Sequence, residues 1–436
     1  MSKVLLVAPI YPPGRAVGYE RVIKFEKYLP EFGFDTCVLT VGSYGGIPSD
    51  QAKRVYRAFE PRALYRLATP FLFRTTRDGV LDSWAEERSP QSKAVRGIAF
   101  DGIRAWVLNH LAIPDMRITW LPAAVPLGLR VIRKERVDVI LSSSAPETAH
   151  LVAACLAAMT KTPWVADFRD GWMFEPLDPL VRLAKRRYRV ERRLEHLVIS
   201  KANAIVSVTQ PITEYFSTTC AGSHSKCYTI TNGYDPDDWN GVAPAPRDGT
   251  KLRLVHTGAF AVSRITQDPQ PFLRAIKSLV QDMREKIEIL LVGALSDQEK
   301  DWVKTLDLGD VVRVMGPVSK RESLALQLSA DVLLLVIGSA KSVATSKLYE
   351  YLYARRPILA VSATDTAAAE IIRQTQSGYV VDAADEQAIS SCLTRLFVSW
   401  QNNALYSPSG DIERYHRRRL AEQLAHLLEG VIGQSK

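Results

Sequence analysis

Short apolar runs alternate with longer amphipathic segments along most of the 436 residues. The apolar runs are typical of strands in a buried parallel sheet, and the segments between them have helical periodicity. The predicted strands are Val4–Ala8, Thr36–Thr40, Asp138–Leu141, Trp164–Asp167, Ala204–Val208 and Cys227–Ile230, then Leu252–His256, Ile287–Val292, Val311–Val314, Val332–Val336, Ile358–Val361 and Tyr379–Val381. The predicted helices include Glu20–Phe32, Ala145–Met159, Phe272–Asp282, Asp297–Leu306 and Lys347–Ala354. Two such sets in succession predict two doubly wound α/β domains.

Two stretches interrupt this alternation. Asn232–Gly249 is rich in Gly, Pro and Asp and reads as an interdomain linker. The connection from Gly42 to about Leu121 is much longer than usual, and helical patterns at Gln51–Ala68 and Ala94–Leu111 indicate an insertion at the sheet's carboxyl edge. The predicted organisation is a first domain (1–231, with the insertion at about 43–121), a linker (232–250), a second domain (251–410) and a terminal helix (411–436) that can pack back on the first domain.

The start of the chain and its thiols favour a cytoplasmic location. Met1 leads within three residues into the first apolar run, so we expect no signal peptide. Charges and prolines interrupt Leu111–Ile132, the nearest candidate for a membrane span. Five scattered cysteines without a CxxC pair favour free thiols in a reducing compartment, with a bridge between Cys220 and Cys227 as the alternative.

The formal net charge of +9 favours anionic partners. Basic residues cluster in Arg182–Arg193 and Arg414–Arg419. These clusters are either solvated helix faces or sites of attraction to an anionic membrane surface or a phosphorylated acceptor. No helix-turn-helix, zinc or aromatic stacking pattern accompanies the charge, so we expect no nucleic-acid partner.

The most informative local pattern is ATSKLYEYL at 344–352, after a predicted buried strand and a Gly/Ser loop. Ser346 is a candidate N-cap, which would leave the backbone N–H groups of Lys347 and Leu348 at a helix start. Such an end carries free donors and partial positive charge and suits a diphosphate. Glu350 lies one turn on and can accept the hydroxyls of a ribose. The alternative is a capped helix with an ordinary Lys–Glu surface pair.

Other polar groups follow predicted strands of the first half. Gly14 and Gly18 lie in a strand-to-helix loop that either approaches a phosphate or acceptor closely or is a plain turn. Asp167, Arg169 and Asp170 follow another strand, where they form either a structural ion-pair group or part of an acceptor site. His150 and His256 fit packed positions. No metal-binding spacing and no nucleophile with a paired base is present.

The SKLYEYL stretch with Pro357 resembles the donor site of the family 4 glycosyltransferases, which have the GT-B fold. Further motifs resemble that family in the same order along the chain: the first strand with Gly14, Gly18 and Arg21, the turn Asn232–Asp235, and the strand end His256–Gly258. The stretches Pro114–Trp120, Asp138–Ser144 and Trp164–Trp172 resemble the branch that builds bacterial surface polysaccharides.

The resemblance implies a GT-B architecture, in which two Rossmann-like doubly wound domains face each other across a cleft. It implies that Glu350 holds the ribose of a nucleotide-diphosphate sugar and that Ser346 and Lys347 lie at the diphosphate. The expected donor-binding set is Gly14, Gly18, Gly258, Arg264, Ser346, Lys347, Leu348 and Glu350, and the candidate catalytic residues are Arg169, Asp170 and Lys347. We expect no cofactor and no metal requirement.

The chain departs from the family pattern at three places. Ser342 stands where the family often has a carboxylate near the transferred sugar, and Arg264 alone is left of an Arg/Lys pair after the strand. Where some members have a catalytic-site His, this chain offers Arg169, to which the role of the His is not assigned. The implied function is retaining transfer to a glycan or lipid-linked acceptor at the inner face of the cell membrane, with peripheral attachment through basic helices as a further hypothesis. The alternatives are a nucleotide-sugar epimerase or hydrolase and a non-catalytic sugar-nucleotide-binding protein.

Overall fold

The computed structural model describes residues 1–12, 19–42, 54–60, 112–176, 184–260 and 268–435. They divide into two compact units. Unit 1 consists of Met1–Thr231 together with Arg417–Lys436, and unit 2 consists of Asn232–His416. The C-terminal segment therefore belongs to the same unit as the N-terminus.

Unit 1 contains a parallel sheet of seven strands in the order β3-β2-β1-β4-β5-β6-β7. The strands are β1 (Ser2–Val7), β2 (Phe34–Val41), β3 (Val55–Ala58), β4 (Val139–Ser144), β5 (Trp164–Phe168), β6 (Ala204–Ser207) and β7 (Cys227–Thr229). The helices are α1 (Tyr19–Tyr28), α2 (Leu121–Glu135), α3 (Thr148–Thr160), α4 (Lys185–Lys201), α5 (Gln210–Thr219) and the C-terminal α13 (Arg417–Ser435). The order reverses between β1 and β4, which makes that edge a ligand position in such sheets.

Both faces of this sheet are covered, which explains the continuous apolar runs. Leu5 and Val7 of β1 belong to one buried cluster, and Val4 and Leu6 belong to the cluster on the opposite face. The apolar stripe of α13, including Leu424, completes the second cluster together with α1.

Unit 2 contains a parallel sheet of six strands in the order β10-β9-β8-β11-β12-β13. The strands are β8 (Leu252–Thr257), β9 (Ile287–Val292), β10 (Val312–Gly316), β11 (Val332–Val336), β12 (Ile358–Val361) and β13 (Gly378–Val381). The helices are α6 (Gln270–Lys277), α7 (Gln281–Glu285), α8 (Asp297–Thr305), α9 (Lys320–Ser329), α10 (Ser346–Ala354), α11 (Ala367–Gln374) and α12 (Glu386–Gln401). Here the order reverses between β8 and β11.

Three sequence predictions of local structure were wrong. A helix was predicted over Gln51–Ala68, but Val55–Ala58 forms β3, because Val55 and Tyr56 pair with β2 and are buried. The predicted helix Phe272–Asp282 is divided into α6 and α7, since Val280 is extended. The terminal helix begins at Arg417 after an extended His416 and not at Ile412. The predicted helix Ala94–Leu111 lies outside the described residues, as does most of the proposed insertion.

No helix in the described ranges combines the length and the apolar character needed to cross a bilayer. The five thiols are all free.

The buried face of α4 holds the loop that follows β5. Arg187 donates to Glu191 (2.6 Å) and to the carbonyl of Pro114 (2.8 Å). Glu191 also accepts the indole N–H of Trp172 at 3.0 Å. Glu195, one turn further along, is fully buried. The basic helix therefore has an inner, ion-paired face that fixes the segments around Pro114 and Trp172.

Glu195 accepts the backbone N–H of Met173 (2.9 Å) and the hydroxyl of Tyr215 (2.8 Å). Burial raises the pKa of its carboxyl from 4.5 to about 7, although both hydrogen bonds and Arg192 act in the opposite direction. The folded chain thus retains a proton that the unfolded chain releases near pH 4.5, so its stability falls as the pH rises through this window.

We predict that E195Q, which can keep both hydrogen bonds, removes this pH dependence. Relative to E195Q, the wild type should lose about 3 kcal/mol at most in its free energy of unfolding between pH 4.5 and pH 7. The measurement is urea-induced unfolding at several pH values. Parallel pH profiles for the two proteins would contradict the prediction.

Candidate functional site

The site in unit 2 lies where its strand order reverses, at the carboxyl ends of β8 and β11. Gly258 follows β8 with φ +106°, and Gly293 follows β9 with φ +151°. A Cβ on Gly293 would lie 2.1 Å from the carbonyl oxygen of Gly258, and one on Gly258 would lie 3.3 Å from Cε of Lys347. Only glycine allows these strand ends to touch while Lys347 passes over them.

Helix α10 begins one residue earlier than the sequence indicated. Thr345 is its N-cap residue and Ser346 its first helical residue, so the prediction that Ser346 caps the helix was wrong. The Leu348 N–H bonds to the carbonyl of Thr345 at 3.1 Å, and its side chain is fully buried. Among the described residues, the backbone N–H groups of Ser346 and Lys347 have no hydrogen-bond acceptor. These two amides, and not that of Leu348, are the donors available to an anion.

Glu350 is the centre of a compact group of side chains, the Glu350 cluster, formed by Glu350, Lys320, Lys347 and Gln327. Oε1 of Glu350 accepts a short hydrogen bond from Lys320 Nζ. Its Oε2 accepts from Gln327 Nε2 at 2.9 Å and from Lys347 Nζ at 3.3 Å. The carboxylate is thus held from two helices, α9 and α10.

The charge state of Glu350 follows from these contacts. Burial acts to raise the pKa of the carboxyl, because it disfavours the charged form. The ammonium groups of Lys347 and Lys320, with the hydrogen bonds from Lys320 and Gln327, outweigh burial and lower the pKa below its ordinary value. Glu350 is therefore an ionised acceptor that is only 8% exposed.

Tyr351 of α10 and Gln327 of the Glu350 cluster both contact Thr257, the last residue of β8. The hydroxyl of Tyr351 accepts the Thr257 N–H at 2.9 Å, and Gln327 donates to Thr257 Oγ1 at 3.1 Å. His256 is buried between the carbonyls of Leu334 (3.1 Å) and Ala259 (3.2 Å), and burial lowers its pKa. His256 is therefore a packing residue that ties β8 to β11.

In unit 1, Arg21 and Asp167 form a fully buried ion pair at 2.8 Å. Arg21 also donates to the carbonyls of Thr231 (2.7 Å) and Ile230 (2.8 Å), and Ser143 donates to Asp167 at 2.8 Å. The sequence left two roles open for Asp167, a structural ion pair or part of an acceptor site. The structure favours the ion pair, because the Asp167 carboxylate is bound by Arg21 and Ser143 inside the unit.

Arg169 and Asp170 lie beyond this pair at the same strand end. The Arg169 guanidinium donates to the carbonyls of Ser144 (2.5 Å) and Ala145, and burial lowers its pKa. Asp170 is half-buried and forms no hydrogen bond or ion pair with the described residues. Arg169 thus shapes the loop after β4, whereas the Asp170 carboxylate is available to a ligand.

His150 is packed, as the sequence indicated. Its Nδ1 lies 2.7 Å from Ser142 Oγ, which also accepts the indole N–H of Trp164. Burial lowers the pKa of His150 to about 3, so the ring is neutral.

The candidate residues Gly14, Gly18 and Arg264 lie outside the described residues. Within the described ranges, no group of three or more His, Cys, Asp or Glu side chains could hold a metal ion. Arg169 and Asp170 belong to unit 1 and Lys347 to unit 2.

Sequence reasoning missed Lys320 and Gln327. Each lies far from Glu350 along the chain, and only the packing of α9 against α10 brings them together. A partial signal was present, because Lys320, Ser323 and Gln327 recur at helical spacing on one face of α9.

Two family models match the chain. The model for glycosyl transferases group 1 matches residues 259–405, and that for the glycosyl transferase 4-like domain matches residues 26–233. Together they cover most of the chain. No curated protein matches this sequence.

Solved structures share the fold over their whole length. Sucrose-phosphate synthase from Thermosynechococcus elongatus is 14% identical, with a TM-score of 0.65 and 100% of both chains covered. HepE of Anabaena, in complex with UDP, is 13% identical, with a TM-score of 0.59 and coverage of 99% of this chain and 100% of its own. WaaG, described as a glycosyltransferase involved in lipopolysaccharide biosynthesis, is 14% identical, with a TM-score of 0.54 and coverage of 98% and 100%. These likenesses show the GT-B fold.

The contact between the glycine-bearing strand ends predicts a large cost for a methyl group at Gly293. We expect G293A to lower the free energy of unfolding by at least about 2 kcal/mol more than G316A does. Gly316 is the matched control, since it has φ +70° but open space around its Cβ position. Urea-induced unfolding measures both variants, and equal losses would show that the strand ends do not touch.

Proposed function

Because the chain belongs to the family 4 glycosyltransferases, we propose that it transfers a sugar from a nucleotide-diphosphate sugar to a hydroxyl of a glycan or lipid-linked acceptor. The observation that carries the proposal is the Glu350 cluster beside the amino end of α10. An ionised carboxylate that accepts hydrogen bonds lies there one turn from two unpaired backbone N–H groups and an ammonium group.

Each part of a nucleotide diphosphate has a chemical match in this site. The ribose hydroxyls are donors that suit Glu350, and the diphosphate is an anion that suits Lys347 and the Ser346 and Lys347 amides. Structures of HepE hold UDP or UDP-glucose, which supports a donor of the same chemical class for this chain. Gly258 leaves room for the Lys347 side chain, whose Cε would lie 3.3 Å from a Cβ at that position.

The transfer step breaks the bond between C1 of the sugar and the diphosphate oxygen and forms a bond from C1 to the acceptor oxygen. The acceptor proton passes to the departing diphosphate, and we propose that the anomeric configuration is retained. Lys347 and the α10 amides stabilise the negative charge that develops on the leaving group. Asp170 is the carboxylate that we propose orients the acceptor hydroxyl in unit 1.

We propose that the biological setting is the synthesis of a surface polysaccharide at the inner face of the cell membrane. The exposed side of α4 supports attraction to anionic lipid, because Arg186, Arg189 and Arg193 lie there on the same helix face as the exposed Leu197. The second basic cluster does not add to it, since Arg418 pairs with Glu31.

A thermal-shift screen tests the donor proposal. We expect one nucleoside diphosphate among UDP, GDP and ADP to raise the Tm, because a ligand at about 100-fold its Kd adds about 2.7 kcal/mol of stability. E350Q, compared with its own ligand-free Tm, should lose this shift. A panel without any shift in the wild type, or an unchanged shift in E350Q, would contradict the proposal. Product analysis then separates transfer from epimerisation, hydrolysis or mere binding.

The role of Asp170 predicts a different signature. D170N should slow transfer at least about tenfold, since the orientation of a reacting group contributes this much or more. The donor-induced Tm shift should stay unchanged, because the groups that we propose bind the donor are the Glu350 cluster and the α10 amides. The control is D35N. It removes a carboxylate at the amino end of β2, on the opposite side of the sheet from the carboxyl ends of the strands. Equal rates in D170N and D35N would exclude the role.

A further inference from the structure

The acceptor capacity of Glu350 is almost fully used in this structure. A carboxylate has two oxygens with about two acceptor positions each. Gln327 and Lys347 occupy both positions on Oε2, and Lys320 occupies one on Oε1. One position remains, whereas two ribose hydroxyls need two. Donor binding therefore requires that one of the three partners leaves.

The three partners differ in what else is available to them. Gln327 is fully buried and also donates to Thr257, so it is fixed. Lys347 lies beside the unpaired amides of α10, where a diphosphate would attract its ammonium group. When Lys347 turns to a diphosphate, one position on each oxygen of Glu350 is open, and Lys320 and Gln327 can stay.

The backbone of Lys320 is held at the start of α9, and its 41% exposed side chain reaches in to Glu350. Lys320 is the first residue of α9, whose start is fixed by the side chain of Ser319 on the Glu322 N–H. Lys320 and Gln327 lie two turns apart and reach Glu350 from the same face of α9. The helix therefore presents a cation and a buried amide to opposite oxygens of one carboxylate.

We propose that Lys320 is a positioning residue for the donor: it holds Glu350 in place and ionised while Lys347 moves to the diphosphate. The inference rests on the proposed function and assigns different tasks to the two lysines. Lys347 responds to the phosphates, and Lys320 acts on the ribose through Glu350.

The charges around Glu350 make the loss of Lys320 consequential. Among the described residues, the charged groups that face it are Lys320 from α9 and Lys347 from α10, with Gln327 and the Tyr351 hydroxyl as titratable or polar neighbours. With Lys347 on the diphosphate, Lys320 is the remaining cation. Without it, burial raises the pKa of Glu350, and the carboxyl takes up a proton at a higher pH.

The test compares K320M with the wild type by calorimetric titration, and the probes are UDP, GDP and ADP with their 2′-deoxy forms. In the wild type, the best ribonucleotide should bind at least about tenfold more tightly than its 2′-deoxy form, because a hydrogen bond to a charged group is lost. In K320M, this ratio should fall to about twofold, with the ribonucleotide losing the affinity. In a plot of ribonucleotide affinity against pH, the loss of affinity at low pH should also begin at a higher pH in K320M than in the wild type.

Two further variants separate a positioning role from a merely structural one. K347M should instead reduce the preference for the nucleoside diphosphate over the monophosphate and keep the ribose preference. K320R keeps the charge and should restore the ribose preference. The matched control is R321M, which removes the neighbouring positive charge; Arg321 donates to the carbonyl of Gly241 and not to Glu350.

The outcomes distinguish this inference from the proposed function. If no nucleotide binds the wild type, both fail. If the wild type binds and E350Q loses the ribose preference while K320M keeps it, only the role of Lys320 is overturned. Equal weakening of ribose and 2′-deoxyribose forms in K320M would also overturn it. Tm values of the ligand-free variants check that each is folded.

Discussion

A carboxylate that is buried and yet ionised is stable only if cations and hydrogen-bond donors surround it. Glu350 satisfies this condition through side chains of two helices that belong to successive strand-helix units of the sheet. The packing of α9 on α10, the cap at Ser319 and the contact of Tyr351 with Thr257 all serve to keep these donors in place. The proposed donor site therefore depends on tertiary packing and not on helix α10 alone.

Unit 1 contains a buried ion pair between Arg21 and Asp167, whose groups, within the described part of the chain, contact only other residues of the unit. Arg21 uses its three guanidinium nitrogens on Asp167, Ile230 and Thr231, all within the unit. The pair is inaccessible and fixes the end of β5 to the chain segment that follows β7. The side chains of Lys347 and Lys320, by contrast, are partly exposed, and Lys347 also lies beside the unpaired amides of α10, so we propose that its contact with Glu350 is exchanged for one with a ligand. Solvent access, and not the presence of an ion pair, separates the structural ion pair of unit 1 from the proposed ligand-binding group of unit 2.

The sequence was most informative where strands and helices have a strong local pattern. Each predicted strand has a counterpart, because runs such as Val332–Val336 are buried on both faces of a parallel sheet. The short β3 could not be predicted, since its four residues acquire a strand's environment only by pairing with β2. In the site, Glu350 and Lys347 were predicted from helical spacing and resemblance. Lys320 could not be, because no local pattern reports which side chain of one helix reaches a carboxylate on another.

The loop before α10, which contains Ser342, is held by backbone bonds to the start of α11. The carbonyls of Lys341 and Val343 accept the N–H groups of Ala367 and Ala368, the first residues of α11. Backbone bonds on both sides of position 342 thus fix the path of the chain, and bonds between backbone atoms do not depend on which residue occupies that position. The side chains that we propose bind the ribose and the diphosphate lie on α9 and α10, so their placement depends on the packing of those two helices.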